Sequence, residues 1–192
     1  RPRPVQVGSF LVVPDGDLAP AGAIILSDSD AFGTGLHPTT ALCLEVLEHL
    51  LALEVPERVL DVGSGTGILA IAALQGGVPS ATAVDIDPAA VAATATNAGL
   101  NGVSDRLSVR PGTVEAVDGT WPLMFANIRA AELMEMAPAL IRRLPRGGQV
   151  VLSGIPVSVA DQVSRVYRRL GLAHLSTTDR DGWAALTLRT TW

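Results

Sequence analysis

Lysine is absent from this sequence, and all 14 basic residues are arginines, set against 19 acidic residues. The net charge of −5 offers no general attraction to a phosphate backbone, because nucleic-acid affinity comes mainly from clustered Lys and Arg. We therefore expect no direct binding of nucleic acid.

Cysteine, long apolar runs and metal-ligand clusters are equally scarce. The one cysteine, Cys43, lies among apolar residues, which predicts a small buried side chain in a cytoplasmic protein. No apolar run approaches the roughly 20 residues that cross a bilayer, so we expect no membrane insertion. His, Cys and acidic residues do not cluster at metal-ligand spacing, and we expect no bound metal.

What is present is an alternation of short apolar runs and helical segments. Apolar residues make up 48% of the 192 residues and charged residues 17%, as is usual for a globular α/β protein. The pattern predicts strands at 58–62, 81–85, 107–110, 123–127 and 149–153, and helices at 38–53, 67–75, 88–99, 130–144 and 157–170. Alternating strands and helices imply a mostly parallel sheet with helices on both faces.

The two ends of the chain depart from this alternation. Two final apolar runs, 172–177 and 183–189, are joined by a turn-like segment too short for a crossover helix, so they must pair antiparallel. Near the beginning, the runs 10–13 and 23–26 flank the turn-like segment 14–17 and predict a hairpin or two edge strands. We interpret residues 1–30 as a β appendage and residues 31–192 as the main domain.

A glycine-rich turn follows the first strand of the alternating region, at 63–67 (GSGTG). Glycine at Gly63, Gly65 and Gly67 permits positive φ and close approach of backbone to a ligand, and the helix that follows offers free N–H groups. A dinucleotide site would place a further glycine at position 68, where this chain has Ile68. The loop alone indicates a nucleoside-type cofactor, with a plain strand-to-helix turn as the alternative.

An acidic residue ends the next strand. Asp85 lies 22 residues after Gly63, where a carboxylate can accept the hydroxyl protons of a ribose. The alternative is a solvated acid at a strand end. Asp87 precedes Pro88 and is predicted to cap the following helix.

Three further segments resemble the ribosomal protein L11 methyltransferase family. Residues 31–40 (AFGTGLHPTT) are similar to its A-F-G-T-G-x-H-P-T-T signature, residues 125–128 (FANI) to its V-A-N-I, and residues 97–103 to its N-A-x-x-N-G-V. The resemblance implies a class I methyltransferase, a Rossmann-like three-layer sandwich with a seven-stranded sheet whose last strand is antiparallel. It also implies S-adenosyl-L-methionine as cofactor and, as protein substrate, the lysine and N-terminal amines of ribosomal protein L11.

The resemblance also assigns site residues. It places Thr40, Gly63, Asp85 and Asn127 at cofactor-binding positions, and it makes the segment from Phe32 through Thr34 to His37 a loop over the methyl-transfer site. Members of the family normally carry an N-terminal domain that holds the ribosomal protein, and this chain has no counterpart to it.

Amine methylation sets requirements that two of these residues could meet. A lysine amine must lose its proton first, which costs about 4 kcal/mol at pH 7.4 from a reference pKa near 10.4. Asn127 could orient the neutral amine through carbonyl oxygens, or it could simply tie two loops together. His37 could relay a proton to solvent, or it could be a loop histidine bonded to backbone.

Two other functions remain open from the sequence. The chain could be a cofactor-binding module without catalysis, or a methyltransferase for another protein, a small molecule or a nucleic acid. Enzymes that methylate bases or glutamine favour an Asn-Pro-Pro-aromatic run, which stacks a planar group. Here Asn127 is followed by Ile128, Arg129 and Ala130, so that stacking ring is missing.

Overall fold

A computed structural model describes residues 3–27 and 36–192, so the predicted positions Phe32 and Thr34 lie outside the described residues. The strands are β1 (Val5–Val7), β2 (Phe10–Pro14), β3 (Ile24–Leu26), β4 (Arg58–Val62), β5 (Ser80–Asp85), β6 (Leu107–Pro111), β7 (Leu123–Asn127), β8 (Gln149–Pro156), β9 (Leu172–Arg180) and β10 (Trp183–Thr190). The helices are α1 (Pro38–Leu53), α2 (Ile68–Gln75), α3 (Pro88–Leu100), α4 (Ala130–Ile141) and α5 (Ala160–Arg169).

Seven strands form the central sheet in the order β6-β5-β4-β7-β8-β10-β9. The pairs from β6 to β8 are parallel, and β10 runs antiparallel to both β8 and β9. The predicted mostly parallel seven-stranded sheet with an antiparallel last strand is therefore confirmed.

Side chains that alternate along the strands fill two separate cores. Val59 and Phe125 pack with residues of α1 and α2, whereas Leu60 and Met124 pack with residues of α4 and α5. Because successive side chains of a strand point to opposite faces, one sheet supports both helical layers. The predicted three-layer sandwich is confirmed, and Cys43 is buried in the first core as expected.

The N-terminal strands form a small sheet of their own, in the order β1-β2-β3. β2 and β3 pair in parallel, so the predicted hairpin is wrong. Of the alternative, two edge strands, only β3 lies at an edge, because β2 is the central strand. The connection spans residues 15–23, long enough to return the chain to the start of the next strand, whereas a hairpin needs a tight turn. β1 was missed because three residues carry too little pattern. The division of the chain at residue 30 stays a prediction.

Four element boundaries differ from expectation by three residues. α5 begins at Ala160 rather than at 157, after a 3₁₀ turn, and β9 continues to Arg180 rather than ending at 177. The other two have local reasons. α4 ends at Ile141 rather than at 144, because Pro145 disfavours helical backbone at Leu144 and the last turn tightens to i→i+3 bonds. β8 continues to Pro156 through Gly154, whose φ of 80° marks an irregularity within the strand. No helix among the described residues is long and apolar enough to span a membrane.

Candidate functional site

The carboxyl ends of the parallel strands form a crevice between β4 and β7. β4, β5 and β6 lie on one side of this crevice, and β7 and β8 lie on the other. In open α/β sheets, ligands bind where the strand order reverses in this way. Gly63 follows β4, Asp85 ends β5 and Asn127 ends β7, so the topology brings these three predicted residues to one edge of the sheet.

The glycine loop that follows β4 adopts a conformation that favours glycine. Gly63, Gly65 and Gly67 have φ values of 78°, 56° and 81°. A Cβ on Gly63 would lie 2.6 Å from an Ile128 side-chain carbon, and one on Gly67 would lie 2.7 Å from Thr94. A Cβ on Gly65 would meet no atom within 4 Å. Two glycines thus allow close packing, and the middle one faces open space that a ligand can enter.

Asp85 fixes this loop from the neighbouring strand. Its Oδ2 accepts a hydrogen bond from Gly65 N at 2.9 Å, and its Oδ1 accepts one from Asp87 N at 2.9 Å. Each carboxylate oxygen can accept more than one hydrogen bond, so the group can still receive ribose hydroxyls. Asp87 caps α3 by accepting from Ala89 N, which confirms the predicted cap.

The predicted residues divide between two adjoining cavities. A cleft of about 440 Å³, within the range of small-molecule sites, is lined by Gly63, Asp85 and Asn127. A smaller cavity of about 150 Å³ is lined by His37, Thr40 and Gly65. The glycine loop contributes residues to both cavities, and Asp85 contacts it. The structure therefore gathers all the predicted site residues it describes around this loop.

A chain of polar contacts connects Asn127 to the beginning of α1. Asn127 Nδ2 donates to Thr39 Oγ1 at 3.4 Å, and Thr39 Oγ1 lies 2.8 Å from His37 Nδ1. His37 Nδ1 also accepts a hydrogen bond from Thr39 N. We therefore assign the Thr39 hydroxyl as the donor to Nδ1 and place the N–H of the imidazole at Nε2. Asn127 thus turns its amide nitrogen to Thr39, which leaves its carbonyl oxygen for another partner.

His37 has a structural task in this arrangement. Its Nδ1 caps α1, and its ring meets Trp183 edge to face with centroids 5.2 Å apart. The sequence did not predict Thr39 or Trp183 as a partner of His37, although Thr39 and Thr40 are both part of the motif at 31–40. The catalytic role of His37 stays a prediction.

Gly154 allows the strand-end segment of β7 to approach β8. A Cβ on Gly154 would lie 2.5 Å from the Ile128 carbonyl oxygen and 3.2 Å from Asn127 Oδ1. Any side chain would therefore displace the segment that presents Asn127. Sequence reasoning missed this glycine because its partner lies on a different strand.

Asp61 is the second residue that the sequence did not mark. It is buried in β4, and neither carboxyl oxygen has a hydrogen-bond partner among the described residues. Burial raises the pKa of the Asp61 carboxyl to about 7, and the charge of Asp85 acts in the same direction. The backbone N–H of Ala70 lowers the pKa of Asp61, although it forms no hydrogen bond of normal geometry with either carboxyl oxygen. A buried, unpartnered carboxylate beside the loop suits a cationic group.

No group of three or more His, Cys, Asp or Glu side chains suited to a metal ion occurs within 3–27 and 36–192.

Comparison with known proteins decides the family. A profile described as ribosomal protein L11 methyltransferase matches residues 2–191. The chain belongs to the ribosomal protein L11 methyltransferase family. This confirms the resemblance found in the motifs at 31–40, 97–103 and 125–128.

Curated relatives agree with this assignment. The ribosomal protein L11 methyltransferase of Methylococcus capsulatus is 46% identical over 190 residues, which cover 96% of this chain and 63% of the relative. That of Chromohalobacter salexigens is 43% identical over 188 residues, covering 96% and 62%. The chain thus spans less than two thirds of the length of these two relatives.

Solved structures support the same fold. The ribosomal protein L11 methylase of Lactobacillus delbrueckii superposes with a TM-score of 0.87 at 29% identity, covering 98% of both chains. An RNA methyltransferase of Salinibacter ruber, solved with S-adenosyl-L-homocysteine, gives a TM-score of 0.59 at 23% identity, covering 76% of this chain and 90% of that one. The second likeness concerns the fold alone, which is that of S-adenosylmethionine-dependent methyltransferases.

Proposed function

We propose that this member of the L11 methyltransferase family transfers methyl groups from S-adenosyl-L-methionine to lysine and N-terminal amines of ribosomal protein L11. The observation that carries the proposal is the placement of Asn127. Its side chain ends β7 at the point where the strand order reverses, beside the glycine loop, with its nitrogen bonded to Thr39. Its carbonyl oxygen accepts no hydrogen bond from residues 3–27 or 36–192 and is a neutral acceptor suited to an amine.

The residues around the glycine loop fit this cofactor. Gly65 faces open space, so its backbone can contact a ligand directly. Asp85 keeps lone pairs for two ribose hydroxyls after accepting from Gly65 N and Asp87 N. Asp61 supplies a buried carboxylate that a positively charged group would compensate. We propose that Thr40, Gly63, Gly67 and the undescribed positions Phe32 and Thr34 complete the cofactor site.

Catalysis by this chain would consist mostly of positioning. When bound, the cofactor supplies a methyl group on a sulfonium and leaves as a neutral thioether. Asn127 Oδ1 would accept a hydrogen bond from the substrate amine and direct its lone pair toward the methyl carbon. The amine must be neutral, and a cleft that excludes water lowers its pKa because the charged form is poorly solvated there. Ile128 and Met136 contribute apolar surface to this cleft.

The methylated nitrogen is left with an extra proton that must pass to solvent. Because the amide of Asn127 cannot relay a proton, the acceptor must lie at the exposed end of the polar contacts. Asn127 contacts Thr39, and Thr39 contacts His37, whose side chain is exposed. We propose that His37 completes the site at the solvent end of this chain. An enzyme that modifies a ribosomal protein would work in the cytoplasm.

A labelling experiment tests the proposed function. Purified protein would be incubated with methyl-labelled cofactor and either ribosomal protein L11 or ribosomal RNA, and label on L11 is expected. Asn127→Ala should lower kcat about 10- to 100-fold, the effect of losing one hydrogen bond of about 1.5–3 kcal/mol to a nitrogen that becomes positively charged in the transition state, while binding of S-adenosyl-L-homocysteine changes less. The matched control is Asn101→Ala, which removes an amide that contacts β3 rather than the cleft.

Each alternative gives a different result in that experiment. Label on RNA alone would contradict the proposed amine substrate. Cofactor binding without transfer to L11 would favour a binding module that lacks catalysis, or an enzyme whose substrate is another protein or a small molecule. Equal effects of the two asparagine variants on kcat would contradict the role proposed for Asn127.

A further inference from the structure

One face of α3 carries three polar side chains at helical spacing, Thr94, Asn97 and Asn101. Thr94 and Asn97 are completely buried. A buried amide or hydroxyl costs free energy unless it is hydrogen-bonded, so their partners determine whether these residues are tolerated.

Thr94 and Asn97 direct their hydrogen bonds to the glycine loop. Thr94 Oγ1 donates to Gly65 O at 3.1 Å and lies 3.0 Å from Ser64 Oγ. Asn97 Nδ2 donates to Thr66 O at 2.8 Å. Two successive carbonyls of the loop are therefore held by side chains of a helix that lies outside the cleft.

Holding these carbonyls also orients the loop amides. In a planar trans peptide the C=O and the N–H point in opposite directions. With Gly65 O bonded to α3, the N–H of Thr66 points away from α3. The N–H of Gly67, which shares a peptide with Thr66 O, donates to Ser64 O at 2.8 Å and closes the turn. Thr94 thus directs the N–H of Thr66 away from α3, Asn97 fixes the peptide that closes the turn, and Gly65 has open space for a ligand.

Asn97 has a second partner on the N-terminal sheet. Its Oδ1 accepts from Ser27 N at 2.8 Å, just beyond β3. Asn101 bonds the same segment, with its Oδ1 accepting from Ile25 N at 2.8 Å and its Nδ2 donating to Ile25 O at 2.7 Å. Both asparagines attach α3 to β3 or the residue just beyond it. Asn97 differs from Asn101 because its side chain also bonds the glycine loop.

We propose that Asn97 is a positioning residue of the cofactor site, which sets the orientation of the glycine loop by joining Thr66 to Ser27, with Thr94 acting on the adjacent carbonyl. The inference rests on the proposed function, because it takes the loop to bind S-adenosyl-L-methionine. It goes further by giving a role in cofactor affinity to residues that do not line the cleft.

A pair of leucine variants separates loop positioning from general stability. Asn97→Leu removes the side-chain bonds to Thr66 and Ser27. Asn101→Leu removes the bonds to Ile25, to Gln75 and to the backbone carbonyl of Asn97, and it leaves the side-chain contacts to the loop intact. Calorimetric titration with S-adenosyl-L-homocysteine should show about tenfold weaker affinity for Asn97→Leu, which corresponds to about 1.4 kcal/mol. Asn101→Leu should stay within about twofold of wild type, even where thermal unfolding shows a similar loss of stability.

A second pair covers the case in which Asn97→Leu fails to fold. Thr94→Val removes the hydroxyl at nearly constant volume and should weaken binding about three- to tenfold, whereas Thr94→Ser keeps the hydroxyl and should restore it. Unchanged affinity in Asn97→Leu, equal loss in Asn101→Leu, or equal affinity of the two Thr94 variants would overturn the inference. If wild type itself bound no S-adenosyl-L-homocysteine, the proposed function would fail instead.

Discussion

Replacing Asp61 with asparagine removes a buried negative charge at nearly constant volume. Both carboxyl oxygens lack a hydrogen-bond partner among the described residues. Burial raises the pKa of Asp61 from its ordinary 3.8 to about 7. Between these two pH values the folded chain therefore holds this proton more strongly than the unfolded chain does. The contribution of Asp61 to stability is most favourable at low pH, falls as pH rises toward 7, and levels off above 7.

The size of the effect follows from the two pKa values. Ionising Asp61 in the folded protein costs about 4 kcal/mol relative to the unfolded chain once the pH exceeds 7. Somewhat less than half of this cost is already present at pH 5, so about 2–3 kcal/mol remains to appear between pH 5 and pH 8. The neutral asparagine variant lacks this dependence. Its free energy of unfolding relative to wild type should therefore rise by about 2–3 kcal/mol over that interval.

Urea denaturation at pH 5 and pH 8, followed by circular dichroism, measures this difference. In thermal unfolding it corresponds to roughly 2–4 °C per kcal/mol for a chain of this size. Asp118→Asn, which changes an exposed carboxylate, is the control and should follow wild type at both pH values. If the stability difference between Asp61→Asn and wild type were the same at pH 5 and pH 8, the proposed burial of an uncompensated charge would be refuted.

Asp61→Asn should weaken ligand binding even where it stabilises the folded chain. The α-ammonium group, which the cofactor shares with S-adenosyl-L-homocysteine, would compensate the Asp61 carboxylate, and asparagine cannot supply that compensation. We expect Asp61→Asn to be more stable than wild type at pH 8 and yet to bind S-adenosyl-L-homocysteine about tenfold more weakly, by calorimetric titration. Stabilisation by loss of a strained functional charge is a common trade-off. Unchanged affinity would show that Asp61 does not complement the cofactor.

The remaining predictions concern the cleft. Gly154→Ala would place a Cβ 2.5 Å from a backbone carbonyl oxygen and should lower both stability and methyl transfer. Gly182→Ala is the control, because Gly182 has a similar φ of 83° but lies in open space, so this variant measures backbone strain alone. Equal losses of methyl transfer in the two variants would contradict the importance of the Gly154 contact. Asp85→Ala should weaken S-adenosyl-L-homocysteine binding at least about 100-fold in calorimetry, but Asp87→Ala should cost only about 1 kcal/mol of helix cap in urea denaturation. His37→Asn preserves a cap but removes the proposed proton acceptor, so it should lower kcat at least about tenfold; a kcat within about threefold of wild type would limit His37 to capping α1.

The sequence alone predicted much of the main domain, because each parallel strand and its helix carry their own periodicity. The glycines of the loop and Asp85 were predicted because their residue types meet local demands on backbone and charge. The N-terminal sheet was harder, since β1 spans three residues and the parallel pairing of β2 with β3 depends on the route of the connection. Pairing between strands is a long-range property, and a short pattern predicts it only where the connection is tight, as between β9 and β10.

Site residues divide in the same way. The motif marked Asn127, His37 and Thr40 by sequence, but only the tertiary structure brought Asn127 against Thr39 and the His37 ring against Trp183. A linear pattern could not identify Asp61 as an unpartnered carboxylate, because its surroundings come from several elements. Local conformation is determined by neighbours in sequence, whereas burial, pKa and hydrogen-bond partners are determined by residues that meet only after the strands align.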